Sequence, residues 1–164
     1  MEQLQQLSKT VRRQRSQRAA QEEAFNINGK VPPQAIEVEE SVLGALLLDQ
    51  NAITNSIDIL KAEYFYVEAN EFIYRAITSL FRDGKPVDLL SVSDQLKKDG
   101  NFEMVGGLEK LVSLTSRITS AAHIEYHVRI LSEKFIQREL IRVSTETLRD
   151  SYDDTMDVLN LLDR

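Results

Sequence analysis

At 164 residues, with 42% hydrophobic and 28% charged side chains, the chain has the size and balance of one globular unit, or a unit plus an extra segment. No stretch approaches the roughly 20 apolar residues of a membrane span. The start, MEQLQQLSKTVRRQRSQR, lacks an apolar signal core, and the absence of cysteine excludes a disulfide framework and thiolate chemistry, so a cytoplasmic location is expected. Charge is unevenly placed: residues 1–30 carry six basic side chains against three glutamates, net +3, whereas the remainder carries 14 against 23, net −9. A body this acidic is a poor general binder of phosphate backbones.

Residues 1–30 read as a flexible, basic, Gln-rich tail in which Leu4, Leu7 and Val11 repeat at helical spacing. A second reading gives this tail a nucleic-acid contact. Gly29 and the pair Pro32-Pro33 interrupt any helix and open the folded body. From Gln34 to Asp49, Ile36, Val42, Leu43, Leu46 and Leu47 fall at helical spacing; Glu37, Glu39 and Glu40 lie near the positive end of that helix, where acidic residues are favoured. A shorter helix is expected from Asn51 to Leu60. Phe72, Ile73, Ala76, Ile77 and Leu80 then make one apolar face that stops at Gly84.

Asp88 suits the cap of a helix carrying Leu89, Leu90, Val92 and Leu96, with Lys97, Lys98 and Gly100 at its end. Gly106-Gly107 opens the next, through Leu108, Leu111, Val112 and Leu114. Thr119 or Ser120 can cap the longest helical pattern, about Ala121 to Ser151. In it Ile124, Val128, Leu131 and Phe135 keep a 4-3-4 spacing, and Ile136, Leu140, Ile141, Val143 and Leu148 carry the stripe onward. Residues 152–155 interrupt, and Met156, Val158, Leu159, Leu161 and Leu162 start a return helix. No segment alternates as a strand does. The expected fold is all-α: a globular helical head, residues 31–119, followed by a long antiparallel helical hairpin, residues 120–164.

Candidate chemistry is sparse. His123 and His127 can share a helical face, but Glu125 lies about 200° round from His123 and points away. The zinc-hydrolase pattern H-E-x-x-H differs, and a metal site here would need further carboxylates or water. Gly29-Lys30 is followed by Val31, and Gly84-Lys85 by Pro86, so neither makes a phosphate-binding G-x-x-x-x-G-K-[ST] loop. Spacing picks out no catalytic, cofactor-binding or metal-ligating residue.

Five stretches in order, VPPQAIEVEESVLGALLLD (31–49), AEYFYVEANEFIYRAI (62–77), GKPVDLLSV (84–92), LKKDGNFEMVGGLEKLVSL (96–114) and SAAHIEYHVRILSEKFIQRELI (120–141), resemble the N-terminal domain of DnaB-type replicative DNA helicases. Two positions depart from that pattern: Asn70 stands where the family commonly has histidine, and His123 where it commonly has asparagine. The resemblance implies a collar domain that self-associates through its hairpin as dimer units of a hexameric ring. It also implies docking of the C-terminal domain of DnaG-type primase at the replication fork, with a helicase loader as a further partner. Catalysis, ATP, magnesium and most DNA contact would belong to a RecA-like motor domain outside this sequence.

On these grounds Ile124, Val128, Leu131, Phe135, Ile141, Val158, Leu159 and Leu162 are expected to line the hairpin seam between copies. Lys110, Ile124 and Ile130 are expected to meet primase.

Overall fold

A computed structural model describes residues 30–116 and 123–152, which contain helices and no strand. The elements are α1 (Ile36–Leu48), α2 (Gln50–Ser56), a 3-10 turn (Ala62–Tyr64), α3 (Glu68–Arg82), α4 (Leu89–Lys98), α5 (Gly107–Ser116) and α6 (Ile124–Ser151). The helical return expected from residue 156 lies outside the described residues. So does the basic stretch before Lys30.

Local chemistry sets most of the helix ends. Asp88 accepts from the Ser91 backbone amide at 2.8 Å and so caps α4; that bond holds the Asp88 carboxyl below its ordinary range. After α3 and α4 the chain turns through Gly84 and Gly100 with φ of +67° and +74°. In both turns the next residue's amide reaches back five positions, Lys85 to the Leu80 carbonyl and Asn101 to the Leu96 carbonyl, each at 2.9 Å. A left-handed residue is required there, and glycine supplies it without steric cost. The second helix is shorter than expected. Its side-chain cap is Asp49, and the Ser56 hydroxyl donates to the Ala52 carbonyl at 2.7 Å just before the chain leaves helical geometry.

The chain divides into two compact units, and the larger is residues 34–135. Within it α1 packs against α3 and α5, α4 bridges α3 and α5, and α2 and the 3-10 turn complete the layer. Six consecutive residues of α1, Val42 to Leu47, are buried, which suits a helix enclosed on most sides rather than one with a single wet face. Leu43, Leu46, Ile53, Ile73, Ile77, Leu96, Leu111 and Leu114 form the centre of the core. Burying each such side chain contributes roughly 1.5–3 kcal/mol. Ile124, Val128 and Leu131 of α6 belong to this same core. This compact unit thus includes the first three turns of α6, whereas the sequence reading placed the division between head and hairpin at residue 119.

Glu39 departs from the sequence reading. It is 1% exposed, and it serves α3 instead of the start of its own helix. One carboxylate oxygen accepts the Tyr66 amide at 2.6 Å; the other accepts the Asn70 side-chain amide at 2.9 Å and the Val67 amide at 3.3 Å. Residue 67 begins α3 with no side-chain oxygen of its own to offer. A carboxylate from α1 thus supplies both the missing acceptor and the negative charge that a helix start favours.

The smaller unit comprises residues 1–33 and 136–164. Among its described residues, Arg138 is 4% exposed and its guanidinium donates to the Pro33 carbonyl at 3.0 Å. Arg142 lies between Glu139 and Glu146, at 2.9 and 2.7 Å. The hydrogen bond to Glu139 leads in raising the Arg142 pKa.

Glu39→Ala leaves two backbone amides and the Asn70 amide without their acceptor, and should lower the unfolding free energy by about 3 kcal/mol in urea titrations. An unchanged midpoint would show that the carboxylate is dispensable. Tyr74 supplies a pH test. Burial pushes its hydroxyl up to about 12, against a smaller lowering by Arg82, and the hydroxyl donates to the Leu60 carbonyl at 2.7 Å. Because the folded protein holds that proton more tightly than the unfolded chain does, this stabilisation is complete below about pH 10 and is lost as pH rises towards about 12. Tyr74→Phe should remove that part of the alkaline loss, read as a smaller fall in melting temperature across this window.

Candidate interaction surface on the last helix

Helix α6 is 28 residues long, roughly 42 Å, and it presents different apolar faces along its length. Ile124, Val128 and Leu131 are 5%, 2% and 1% exposed. Phe135 ends this stripe half-buried, its ring 5.1 Å from that of Tyr64. Beyond it Ile136, Leu140 and Val143 are 52%, 62% and 49% exposed. At 100° per residue these three lie within about 60° of one another, and about 120° round the helix from the core stripe. They form a second apolar face.

Charges on the same helix are paired with one another. Glu139, Glu146 and Asp150 border the exposed face, roughly 70° from its centre, and Arg142 is ion-paired with Glu139 and Glu146 along that border. Such a surface suits association through apolar contact.

The structure separates the residues expected at interfaces. Ile124, Val128 and Leu131 are buried in the head's own core in the single chain; a 4-3-4 spacing marks a buried stripe without saying whose surface buries it. Phe135 contacts Tyr64, and Ile141 is half-buried. Val158, Leu159 and Leu162 lie outside the described residues. Ile124, expected at primase, is unavailable for the same reason as above; Ile130 is half-buried, and Lys110 is ion-paired with Glu40 across α1 and α5. The sequence reading missed the change of face after Phe135. The signal was present, since Ile136, Leu140 and Val143 cannot share the Ile124–Leu131 side of a straight helix.

The histidines form no centre of their own. His123 is exposed at the start of α6, and the His127 ring lies 6.0 Å from that of Tyr126. Among the described residues no three His, Asp or Glu side chains gather as metal ligands would.

Comparison with known proteins places this fold. The DnaB-like helicase N terminal domain family matches residues 31–133. The chain belongs to that family. It is 44% identical over 135 residues to the replicative DNA helicase DnaB of Rhodothermus marinus, a match that covers 82% of the chain and 14% of that protein. It is 39% identical over 132 residues to the Geobacillus stearothermophilus DnaB, covering 79% and 29%. The crystal structure of the N-terminal domain of DnaB helicase from Mycobacterium tuberculosis superposes with a TM-score of 0.78 at 33% identity, covering 82% of this chain and 94% of that one. The chain thus spans under a third of these full-length DnaB relatives. The all-α fold and the DnaB-type identity expected from the five motifs both hold. Asn70, where this chain departs from the family pattern, is fully buried and donates to Glu39, a task that needs only a well-placed N–H.

The two faces of α6 should respond oppositely to mutation. Leu131→Ala should cost about 2–5 kcal/mol of stability, and Leu140→Ser should stay within about 0.5 kcal/mol. Equal losses in chemical denaturation would contradict the division.

Proposed function

We propose that this domain serves assembly and docking: it joins copies of the longer helicase into a ring collar and presents a surface to the C-terminal domain of a DnaG-type primase. The observation that carries this reading is the exposed Ile136–Leu140–Val143 face, which lies past the self-sufficient head in a chain of the DnaB N-terminal family. A C2 pair formed through this face would bury an apolar patch that the single chain leaves in water. In the longer protein such pairs would build up to a hexamer.

Primase docking falls to the head. Ile130 and the exposed quarter of Lys110 remain the contacts proposed there, with Glu40 fixing the Lys110 side chain in place. Preassembly of several heads would raise the effective concentration of second and third docking sites. Unwinding, with ATP and magnesium, belongs on this reading to a motor elsewhere in the longer protein, and loader contact to the assembled ring. The acidic body argues against the alternative in which the domain is chiefly a nucleic-acid scaffold.

Sedimentation equilibrium should show concentration-dependent self-association that Leu140→Asp weakens by at least about tenfold, the effect of about 1.4 kcal/mol. Co-purification should retain the cognate primase C-terminal domain. A strict monomer at high concentration that also fails to hold primase would rule the proposal out.

A further inference from the structure

Past Phe135 helix α6 has less burial to hold it. Ile124, Val128 and Leu131 lie in the core, whereas from Val143 to Arg149 every side chain but Thr145 is exposed. Composition does not make up the difference. Val143, Ser144, Thr145 and Thr147 are β-branched or carry a short hydroxyl, types that lose side-chain freedom in a helix or offer its backbone another partner. Three hydroxyls do so here: Thr145 donates to the Ile141 carbonyl and Thr147 to the Val143 carbonyl, both at 2.8 Å, and Ser151 to the Thr147 carbonyl at 2.7 Å. Such back-bonding slightly destabilises a helix.

One side chain spans the start of this weak run. The Arg142 guanidinium donates to Glu139, three residues before it, from Nε at 3.0 Å and Nη2 at 2.9 Å, and to Glu146, four residues after it, from Nη1 at 2.7 Å. Residues three and four apart are neighbours only while the chain is helical, so the two contacts together clasp about two turns. Arg142 is partly buried between the carboxylates, and water screens the pairs only in part. Each such pair shifts a helix–coil equilibrium about twofold, and the two together about three- to fivefold. Because the core already holds the first three turns, no new nucleus is needed, and a shift of this size decides how far the helix extends. Arg142 acts from behind. At 100° per residue its backbone position lies about 130° round the helix from the centre of the Ile136–Leu140–Val143 face.

We infer that Arg142 is a positioning residue for assembly: by bridging Glu139 and Glu146 it carries α6 through the Val143–Thr147 run and keeps Val143 in one face with Ile136 and Leu140, ready for a second copy. This rests on the reading of that face as an interaction surface. On this account α6 beyond Leu140 is helical for only part of the time in the free chain, and its helical population limits self-association, since the competent face exists only while the helix does.

Arg142→Gln removes both pairs at little cost in helix propensity. In dilute, monomeric samples of the whole chain it should speed amide exchange of residues 143–149 about three- to fivefold, leave residues 124–131 unchanged, and weaken self-association about two- to fivefold. Adding Ser144→Ala and Thr145→Ala, which raise helix propensity at positions outside the apolar face, should restore both. Unchanged exchange in the monomer would overturn the inference. So would association that stays weak once the alanines have restored the helix, which would make Arg142 a contact with the partner. If neither the natural chain nor any variant associates while exchange responds as stated, the assembly proposal fails and the hold of Arg142 on the helix stands.

Discussion

A single buried carboxylate organises the head. Glu39 projects from the most enclosed helix and satisfies two backbone amides and one side-chain amide at the start of α3, 27 to 31 residues further along the chain. A carboxylate so placed would be costly if unpaired, because burial removes its water. Its three donors make the site acceptable and fix where α3 begins relative to α1. The packing of α4 and α5 on these two helices follows from that placement, and α6 closes the assembly with Ile124, Val128 and Leu131.

That closure shapes function. The first three turns of this helix are committed to the core, and in the turns beyond them side-chain spacing is set by the helix and not by a loop. The two stretches present different surfaces on the same element. The core stripe must be apolar and close-packed, whereas the exposed stripe leaves apolar residues in water. The turn of about 120° between the two stripes lets one continuous helix carry both.

Much of the fold was legible because it depends on local chemistry. Gly84, Gly100 and Asp88 act within a few residues of themselves, so their spacing announces helix ends directly. The family resemblance was legible through the order of five such segments. Glu39 was not, since its partners lie far away in sequence and an acidic residue near a helix start has a ready local explanation. The burial of part of the expected seam was not legible for a related reason. Periodicity finds a buried stripe, but whether the burial is within the chain or between chains depends on the tertiary arrangement, and Ile124, Val128 and Leu131 proved to belong to the head.

The central claim is that α6 divides at Phe135 into a core half and an exposed half, the latter proposed to pair copies. Amide hydrogen exchange along this helix, followed by mass spectrometry at several protein concentrations, tests it most directly. Residues 124–135 should exchange only through global unfolding, at a rate independent of concentration, while protection of residues 136–151 should rise as copies associate. Uniform protection along the whole helix, indifferent to concentration, would contradict the account.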